Sequence, residues 1–162
     1  MLGPCWPMML LTFSLIIGIA GGTLVWAAHY FHIAVILAGF TLLCVNVTGL
    51  CLTACNNPGI MKRQTERPPG TNWKFHQKAG AYQKPGTKYC EETQVFVYKH
   101  DHFCPWTGTA IAGNNLPFFY VFVGSLNLLC IATFMLVFMC LSATANEARH
   151  NRQVAMANGG GA

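Results

Sequence analysis

The residues best suited to chemistry lie in one short stretch, His100–Trp106, with the sequence HDHFCPW. It contains an acid, an imidazole and a thiol within four positions, the groups that an activated cysteine nucleophile uses. A free thiol has a pKa of about 8.5 and attacks weakly unless a base or a positive charge stabilises the thiolate. In an extended strand, side chains two residues apart project from the same face, so His102 could face Cys104 and Asp101 could orient the imidazole. From residue types alone, a structural or metal-ligating cysteine explains the stretch equally well.

The composition of the rest of the chain indicates a membrane protein. Of the 162 residues, 53% are hydrophobic and 9% are charged, whereas a soluble domain carries about 25% charged residues. Three apolar runs without Asp, Glu, Lys or Arg cover about residues 8–28, 33–54 and 117–145. Each run is long enough for the roughly 20 residues with which a helix crosses a bilayer. We therefore expect an all-α membrane protein with three transmembrane helices.

These runs divide the chain into four parts. They are a transmembrane hairpin, a central loop, a third transmembrane helix and a flexible tail, at residues 1–55, 56–116, 117–145 and 146–162. The loop is rich in Pro, Gly and Lys and has no clear apolar periodicity, so we predict that it is mostly irregular and has no core of its own. Asn46 and Asn127 lie inside predicted helices, where an amide usually bonds a neighbouring helix, and this favours a packed bundle.

The distribution of positive charge predicts the orientation in the membrane. Eight of the ten Lys and Arg residues lie in the loop of residues 56–116, and none lies in the short link between the first two runs. Because cytoplasmic loops of membrane proteins carry an excess of Lys and Arg, we predict that the loop faces the cytosol and the tail faces the opposite side. The loop also carries four acidic residues, and its net charge of +4 suits anionic lipid or a phosphate-bearing ligand. The charges are equally well explained as topology signals alone.

Four segments of the chain resemble the DHHC family of protein S-acyltransferases. DHFCPW resembles the family signature Asp-His-His-Cys-Pro-Trp, and NNPG resembles its Asp-Pro-Gly turn, with Asn57 in place of Asp. KYCEETQVF resembles the start of the cysteine-rich domain, with Cys90 at its first cysteine, and NNLPFFYVF resembles the start of the third span, with Asn115 at the family Asn. The resemblance covers about residues 8–145. It implies three membrane helices and a cytosolic loop that carries a degenerate DHHC cysteine-rich domain.

The resemblance also implies a reaction. In this family the signature cysteine accepts a fatty acyl group from acyl-coenzyme A as a thioester and passes it to a protein cysteine. Carried over, Cys104 is the acylated nucleophile, His102 is the general base and Asp101 orients the imidazole. Palmitoyl-coenzyme A is the expected co-substrate. The expected partners are the lipid bilayer and proteins with cytosolic cysteines, and no nucleic acid is expected.

The zinc ligands of the family pattern are largely missing from this chain. The family uses two zinc ions, each with four Cys or His ligands. Here Phe103 replaces the second signature His, and Ala110 replaces a ligand cysteine after the nucleophile. Cys90 is the only clear ligand left, and one thiolate with a stray His76 or His100 cannot complete a tetrahedral site. We therefore assign no metal ligands, and we expect less than one tightly bound zinc per chain.

Three interpretations are open at this point. The first is a divergent S-acyltransferase that retains its nucleophile, base and orienting acid. The second is a catalytically inactive, DHHC-derived membrane protein, either a binding partner or a truncated relic. The third is an unrelated three-span scaffold or transporter subunit with a chance signature. The retained Asp101, His102 and Cys104 favour the first interpretation, whereas the missing zinc ligands and the missing fourth span of the family pattern favour the second.

Overall fold

The computed structural model describes residues 4–159, which form three long helices and three β-hairpins. The helices span Trp6–Ala27, Ile33–Cys55 and Leu116–Gly159, and are called here the first, second and third membrane helices. Each is long and apolar enough to cross a bilayer, so the prediction of three membrane helices is confirmed. The first helix contains one π-helical segment at Ile17–Gly21, between two α-helical segments.

The second and third membrane helices approach each other closely. A β-carbon added at Gly49 would lie 3.1 Å from the Cα of Phe122, so only glycine fits there without a shift of the third helix. The fully buried Asn46 donates a hydrogen bond from Nδ2 to the carbonyl oxygen of Phe122 (3.0 Å) and so bonds a neighbouring helix, as predicted. The same prediction for Asn127 is wrong. Its amide donates to the carbonyl oxygen of Val123, four residues earlier in its own helix.

One buried apolar cluster joins all three membrane helices. Its buried members are Ile16, Ala20, Leu24, Leu43, Leu50, Phe122 and Leu129. The outer faces of the helices carry many exposed Leu, Ile, Val and Phe side chains, which lipid tails would cover. Inside a bilayer, van der Waals packing and interhelical hydrogen bonds hold such helices together, because lipid is as apolar as the side chains themselves.

The loop between the second and third helices contains β-sheet, so the all-α prediction is wrong for this part of the chain. Its three antiparallel hairpins pair β1 (Lys74–His76) with β2 (Ala81–Gln83), β3 (Thr87–Cys90) with β4 (Val95–Tyr98), and β5 (His100–Cys104) with β6 (Thr109–Ala112). Strands of three to five residues are too short to show a clear period of two in the sequence. Left-handed glycines close two of the turns, Gly80 with φ +56° and Gly108 with φ +71°.

The second and third hairpins share a small core, contrary to the expectation that the loop has none. Cys90 and Val97 from the second hairpin are buried against Ala110 and Ala112 from the third. The partly buried Phe103 packs against this group. This core joins residues that are more than ten positions apart, so it leaves no periodic signal within either hairpin.

The NNPG turn attaches the loop to the end of the second membrane helix. The Oδ1 atom of Asn57 accepts hydrogen bonds from the backbone N–H groups of Gly59 (2.9 Å) and Ile60 (2.8 Å). Gly59 adopts a φ of +111°, and its carbonyl oxygen accepts from the N–H of Tyr98 in β4 (2.9 Å). An Asp carboxylate makes the same kind of turn, so the Asn in place of the family Asp retains the acceptor that the turn needs.

Asn115 joins the loop to two membrane helices. Its fully buried side chain donates from Nδ2 to the carbonyl oxygens of Thr53 (3.1 Å) and Ala110 (3.0 Å). Its Oδ1 atom accepts from the N–H of Ala112 (2.8 Å). One side chain thus connects the last turn of the second helix, strand β6 and the start of the third helix. Because β6 pairs with β5, this network also positions the strand that carries Cys104.

The third membrane helix continues through residues 146–159, where the sequence predicts a flexible tail. This segment is rich in Ala, Arg, Glu, Gln and Met, which favour helix, and it has no Pro or Gly before Gly159. The Tyr30 hydroxyl donates to the Glu147 carboxylate at 3.4 Å. The link between the first two helices and the start of the tail therefore lie at the same end of the bundle. Residues 160–162 of the predicted tail lie outside the described residues.

Replacement of Asn115 by Ala is expected to destabilise the loop. The substitution leaves three buried backbone groups without their partner, and each such group costs about 1–3 kcal/mol. The melting temperature of the detergent-purified protein should fall, and hydrogen exchange in β5 and β6 should become faster. Asn114→Ala is the matched control, because Asn114 is the adjacent residue and its side chain is exposed. Equal losses of stability in the two variants would contradict the role given to Asn115.

Candidate active site

The HDHFCPW stretch forms strand β5 and the turn that follows it. The turn leads into β6 and is closed by a hydrogen bond from the Gly108 N–H to the carbonyl oxygen of Pro105 (3.0 Å). A β-carbon at Gly108 would lie 2.9 Å from the carbonyl oxygen of Cys5. The turn therefore packs against the start of the first membrane helix, and the strand with the candidate nucleophile lies at the end of the helix bundle.

A β-bulge brings the acid to the imidazole. His100 pairs with Ala112 and His102 pairs with Ile111, so Asp101 is an extra residue on β5. Consecutive side chains of a regular strand project to opposite faces, and a bulge can redirect one of them. The Oδ2 atom of Asp101 lies 3.0 Å from Nδ1 of His102. With the proton on Nδ1, the imidazole donates to this carboxylate and its Nε2 is free to accept a proton.

Cys104 lines an apolar cavity between the first and third membrane helices. The residue is buried, and the cavity has a volume of about 380 Å³. The other lining residues are Thr12, Leu15, Ile16, Trp106, Phe119, Phe122, Val123 and Leu126. A second apolar cavity of about 380 Å³ lies further along the same two helices, and shares Leu15, Ile16 and Leu126 with the first. The two cavities together form an apolar groove that begins at Cys104.

Phe119 lies between the imidazole and the cavity. Its ring centroid is 5.2 Å from that of His102 in an edge-on arrangement, and it lines the same cavity as Cys104. Within residues 4–159, the Asp101 carboxylate and the His102 ring are hydrogen-bonded, whereas no hydrogen bond joins that ring to the Cys104 thiol. Catalytic hydrogen bonds in ligand-free enzymes are often long and shorten only when substrate binds. The catalytic roles of these three residues remain predictions.

The candidate zinc ligands of the loop lie in separate environments. Among residues 4–159, no three His, Cys, Asp or Glu side chains form a group that could hold a metal ion. The thiol of Cys90 is buried in the hairpin core and donates to the carboxylate of Glu92 (3.3 Å). Nδ1 of His76 accepts a hydrogen bond from the N–H of Ala79 (3.2 Å). These donors do not fit the four convergent ligands of a structural zinc.

Electrostatic effects near Cys90 have local causes. The Glu92 carboxylate forms hydrogen bonds with its own backbone and with the Cys90 thiol, and these bonds lower the pKa of Glu92 below its usual value. Burial, together with the charge of Lys88, lowers the pKa of His100 and favours its neutral ring. The Nε2 atom of that ring is buried and has no hydrogen-bond partner. The charges of Asp101 and His102 make smaller, opposing contributions to the pKa of His100.

Comparison with known proteins assigns this arrangement to a family. The family model for DHHC palmitoyltransferase matches residues 70–159. The matched range includes all three hairpins and the described third membrane helix, and is more than half of the 162 residues. The chain belongs to the DHHC palmitoyltransferase family. Members of this family are expected to use acyl-coenzyme A as a substrate and to have a zinc-binding cysteine-rich domain.

Several curated DHHC relatives are plant proteins from Arabidopsis thaliana. The chain is 28% identical to "Probable protein S-acyltransferase 3", over 69% of this chain and 37% of the relative. It is 29% identical to "Probable protein S-acyltransferase 1", over 65% of this chain and 41% of the relative. A shorter match to "Protein S-acyltransferase 8" is 40% identical over 53 residues, or 33% of this chain and 13% of the relative. The chain therefore spans well under half the length of these relatives.

Sequence reasoning missed the residues that surround Cys104 in this DHHC protein. Phe119 belongs to the aromatic run that starts the third membrane helix. This run is the one feature of the sequence that could have indicated an aromatic side chain near Cys104. Thr12, by contrast, lies more than ninety residues before the nucleophile and reaches the cavity only because the first and third helices pack together. No pattern in the sequence links it to the DHHC signature.

Replacement of Val123 by Trp is expected to fill the cavity beside Cys104. The larger side chain should slow the reaction of the Cys104 thiol with an apolar maleimide, measured in detergent by mass spectrometry of the peptide that contains Cys104. Val121→Trp is the matched control because Val121 is half exposed and does not line this cavity. A similar effect of both substitutions would mean that access to Cys104 does not run through the cavity.

Proposed function

We propose that this protein transfers a fatty acyl group from acyl-coenzyme A to protein cysteines through a thioester on Cys104. The observation that carries the proposal is the apolar cavity lined by the candidate nucleophile, with an acid–imidazole pair two residues away on the same strand. A thiol at the wall of an apolar groove suits a substrate whose reactive carbon ends a long hydrocarbon chain. Family membership and relatives named as S-acyltransferases support the same chemistry.

The first half of the proposed reaction acylates the enzyme. Nε2 of His102 removes the proton of the Cys104 thiol, while Asp101 holds the opposite side of the ring and stabilises the imidazolium. The thiolate attacks the carbonyl carbon of acyl-coenzyme A, and the bond from that carbon to the coenzyme A sulfur breaks. The departing thiolate takes the proton from His102. The products are the Cys104 thioester and free coenzyme A.

The second half transfers the acyl group to a protein. The same imidazole deprotonates the cysteine thiol of the substrate protein, whose thiolate attacks the thioester carbon. The bond to the Cys104 sulfur breaks, and the proton on His102 passes to that sulfur. During both steps the acyl chain lies in the groove between the first and third membrane helices. A palmitoyl chain is the proposed cargo, and the bilayer brings acyl donor and acceptor protein to the same surface.

The competing proposal is a catalytically inactive DHHC relative that acts as a binding partner. Two observations favour it: Phe103 stands at the second signature His, and no hydrogen bond joins the described Cys104 thiol to the His102 ring. A displacement of about 1 Å at a reacting group can lower a rate about a hundredfold. The two proposals differ in one measurable property, the formation of a thioester.

The purified protein is expected to form a hydroxylamine-sensitive adduct with an alkyne-tagged palmitoyl-coenzyme A, mapped by mass spectrometry to Cys104. Cys104→Ser should remove this label. Asp101→Asn should slow labelling by roughly 10²–10⁴-fold if the carboxylate orients the base, as expected for a general-base system. Cys44→Ser is the matched control, because that exposed thiol lines neither of the two cavities that form the groove.

The labelling experiment separates activity from passive acylation. Cys51 and Cys55 are exposed near the loop end of the second helix, and exposed juxtamembrane thiols can be acylated. Label that persists undiminished in Cys104→Ser excludes Cys104 as the acylated nucleophile. Absence of any label in the wild-type chain, when an active DHHC enzyme is labelled in the same assay, supports the inactive relative.

We also propose that the loop of residues 56–116 faces the cytosol, where acyl-coenzyme A is made available. The excess of Lys and Arg in the loop supports this orientation. The link between the first two membrane helices and the tail after the third helix would then both lie on the other side of the membrane. The contact between Tyr30 in the link and Glu147 in the tail supports this arrangement. The proposed division of the chain into a transmembrane hairpin, a cytosolic loop, a third helix and a tail follows from the same orientation.

Glycosylation in microsomes tests this topology. An Asn-X-Thr acceptor inserted near Gly70, where added atoms meet open space, should stay unmodified, whereas one added after Gly159 should be glycosylated. The natural acceptor sequence at Asn46-Val47-Thr48 gives no background because it lies inside the second membrane helix. Glycosylation of the acceptor near Gly70 would put Cys104 in the lumen, and the acyltransferase proposal would then fail.

A further inference from the structure

We infer that an aromatic cluster and a small hairpin core, without bound zinc, hold the loop of this DHHC protein together. The inference goes beyond the proposed reaction, because it concerns what maintains the candidate site. The family implies a zinc-binding domain, whereas Cys90 and His76 of the described loop belong to no group of three metal-binding side chains and have other hydrogen-bond partners.

Three aromatic rings join the first hairpin to the second. His76 from β1 packs against Tyr89 from β3 with ring centroids 4.8 Å apart, and against Phe96 from β4 at 5.6 Å. Tyr89 and Phe96 lie 5.5 Å apart in an edge-on arrangement. These distances fall in the favourable range for aromatic pairs. Phe96 is buried and the other two rings are partly buried, so the cluster makes His76 a packing residue.

His76 has a second role that also opposes metal binding. Its Nδ1 atom accepts a hydrogen bond from the N–H of Ala79, in the turn between β1 and β2. A metal at Nδ1 would displace this bond and leave the turn amide without its acceptor. The ring therefore stabilises its own hairpin with one nitrogen and the neighbouring hairpin with its face.

Cys90 joins the second hairpin to the third as an apolar side chain. It is 1% exposed and packs with Val97, Ala110 and Ala112. Its thiol donates a hydrogen bond to Glu92, whereas a cysteine that binds a metal does so as a thiolate. Ala110 is also the residue at the position of a family ligand cysteine, and here its methyl group fills the same core. The position thus contributes packing in place of a metal bond.

The contacts form an unbroken series from the first hairpin to the membrane. The aromatic cluster joins the first and second hairpins, and the core around Cys90 joins the second and third. Asn115 then joins the third hairpin to two membrane helices. Each connection that a zinc centre would supply is made by side-chain packing or by hydrogen bonds. Removal of metal should therefore leave the loop folded.

Metal analysis and limited proteolysis of the full-length protein in detergent test this inference together. Protein expressed in zinc-supplemented medium should contain well below one zinc per chain. Its rate of cleavage by trypsin at the exposed Lys78 and Lys88 should stay within about twofold when a strong zinc chelator is added, because local opening is not coupled to metal. Two zinc ions per chain, or a loop that opens on chelation, would overturn the inference.

Substitutions distinguish packing from ligation at the same positions. Tyr89→Ala removes two of the three aromatic pairs and should speed loop cleavage by about tenfold, whereas Phe75→Ala is the matched control. Phe75 belongs to the first hairpin, but its ring is 56% exposed and pairs with Tyr82 outside the cluster. Equal cleavage rates in these two variants would show that the aromatic cluster does not hold the loop.

Cys90→Ala and His76→Phe complete the test. Both substitutions remove every metal-binding atom of the side chain, but they retain an apolar group at the core and an aromatic ring in the cluster. Cleavage of each variant should remain closer to wild type than to Tyr89→Ala. Cleavage as fast as in Tyr89→Ala, together with loss of zinc, would assign ligand roles to these residues. None of these measurements depends on acyltransferase activity, so failure of the proposed function would leave this inference intact.

Discussion

The three hydrogen bonds of the Asn115 side chain determine where the candidate site lies relative to the membrane. They join the last turn of the second helix, strand β6 and the first turn of the third helix. At such a junction the backbone leaves helical geometry close to the bilayer, where an unpaired N–H or C=O group is costly. A single amide with one acceptor and two donors satisfies three backbone groups there. The position of β5 depends on this junction, because β5 is paired with β6.

The strand held in this way brings an acid and an imidazole together because of its irregularity. In a regular strand Asp101 and His102 would project to opposite faces, and the bulge brings their side chains within hydrogen-bond distance. The other end of the same strand reaches the membrane groove through Cys104. Five residues thus connect a polar, partly exposed acid–imidazole pair to a buried thiol in an apolar environment. This change of polarity along one strand suits the proposed donor, in which a charged coenzyme A group and an apolar acyl chain meet at the thioester.

The departures from the DHHC pattern are accommodated by ordinary packing. Asn57 supplies the same turn acceptor as the family Asp, and Ala110 fills a hairpin core at the position of a ligand cysteine. Short strands and small side chains allow the three hairpins to lie close together around few residues. A loop of this kind depends on many weak contacts in place of a few strong ligand bonds, so single packing substitutions should affect it more than loss of metal does.

The amino-acid sequence by itself determined the three membrane helices and the family, because apolar run length and a contiguous signature are local properties that need no knowledge of contacts. The same reasoning failed for the hairpins, whose strands are too short for periodicity and depend on left-handed turns such as that at Gly108. It also failed for the partner of Asn127, since rotation of a helix decides which carbonyl an amide reaches. Only the tertiary structure decided the bulge at Asp101 and the groove beside Cys104, because each depends on the pairing or packing of segments that are distant in the chain.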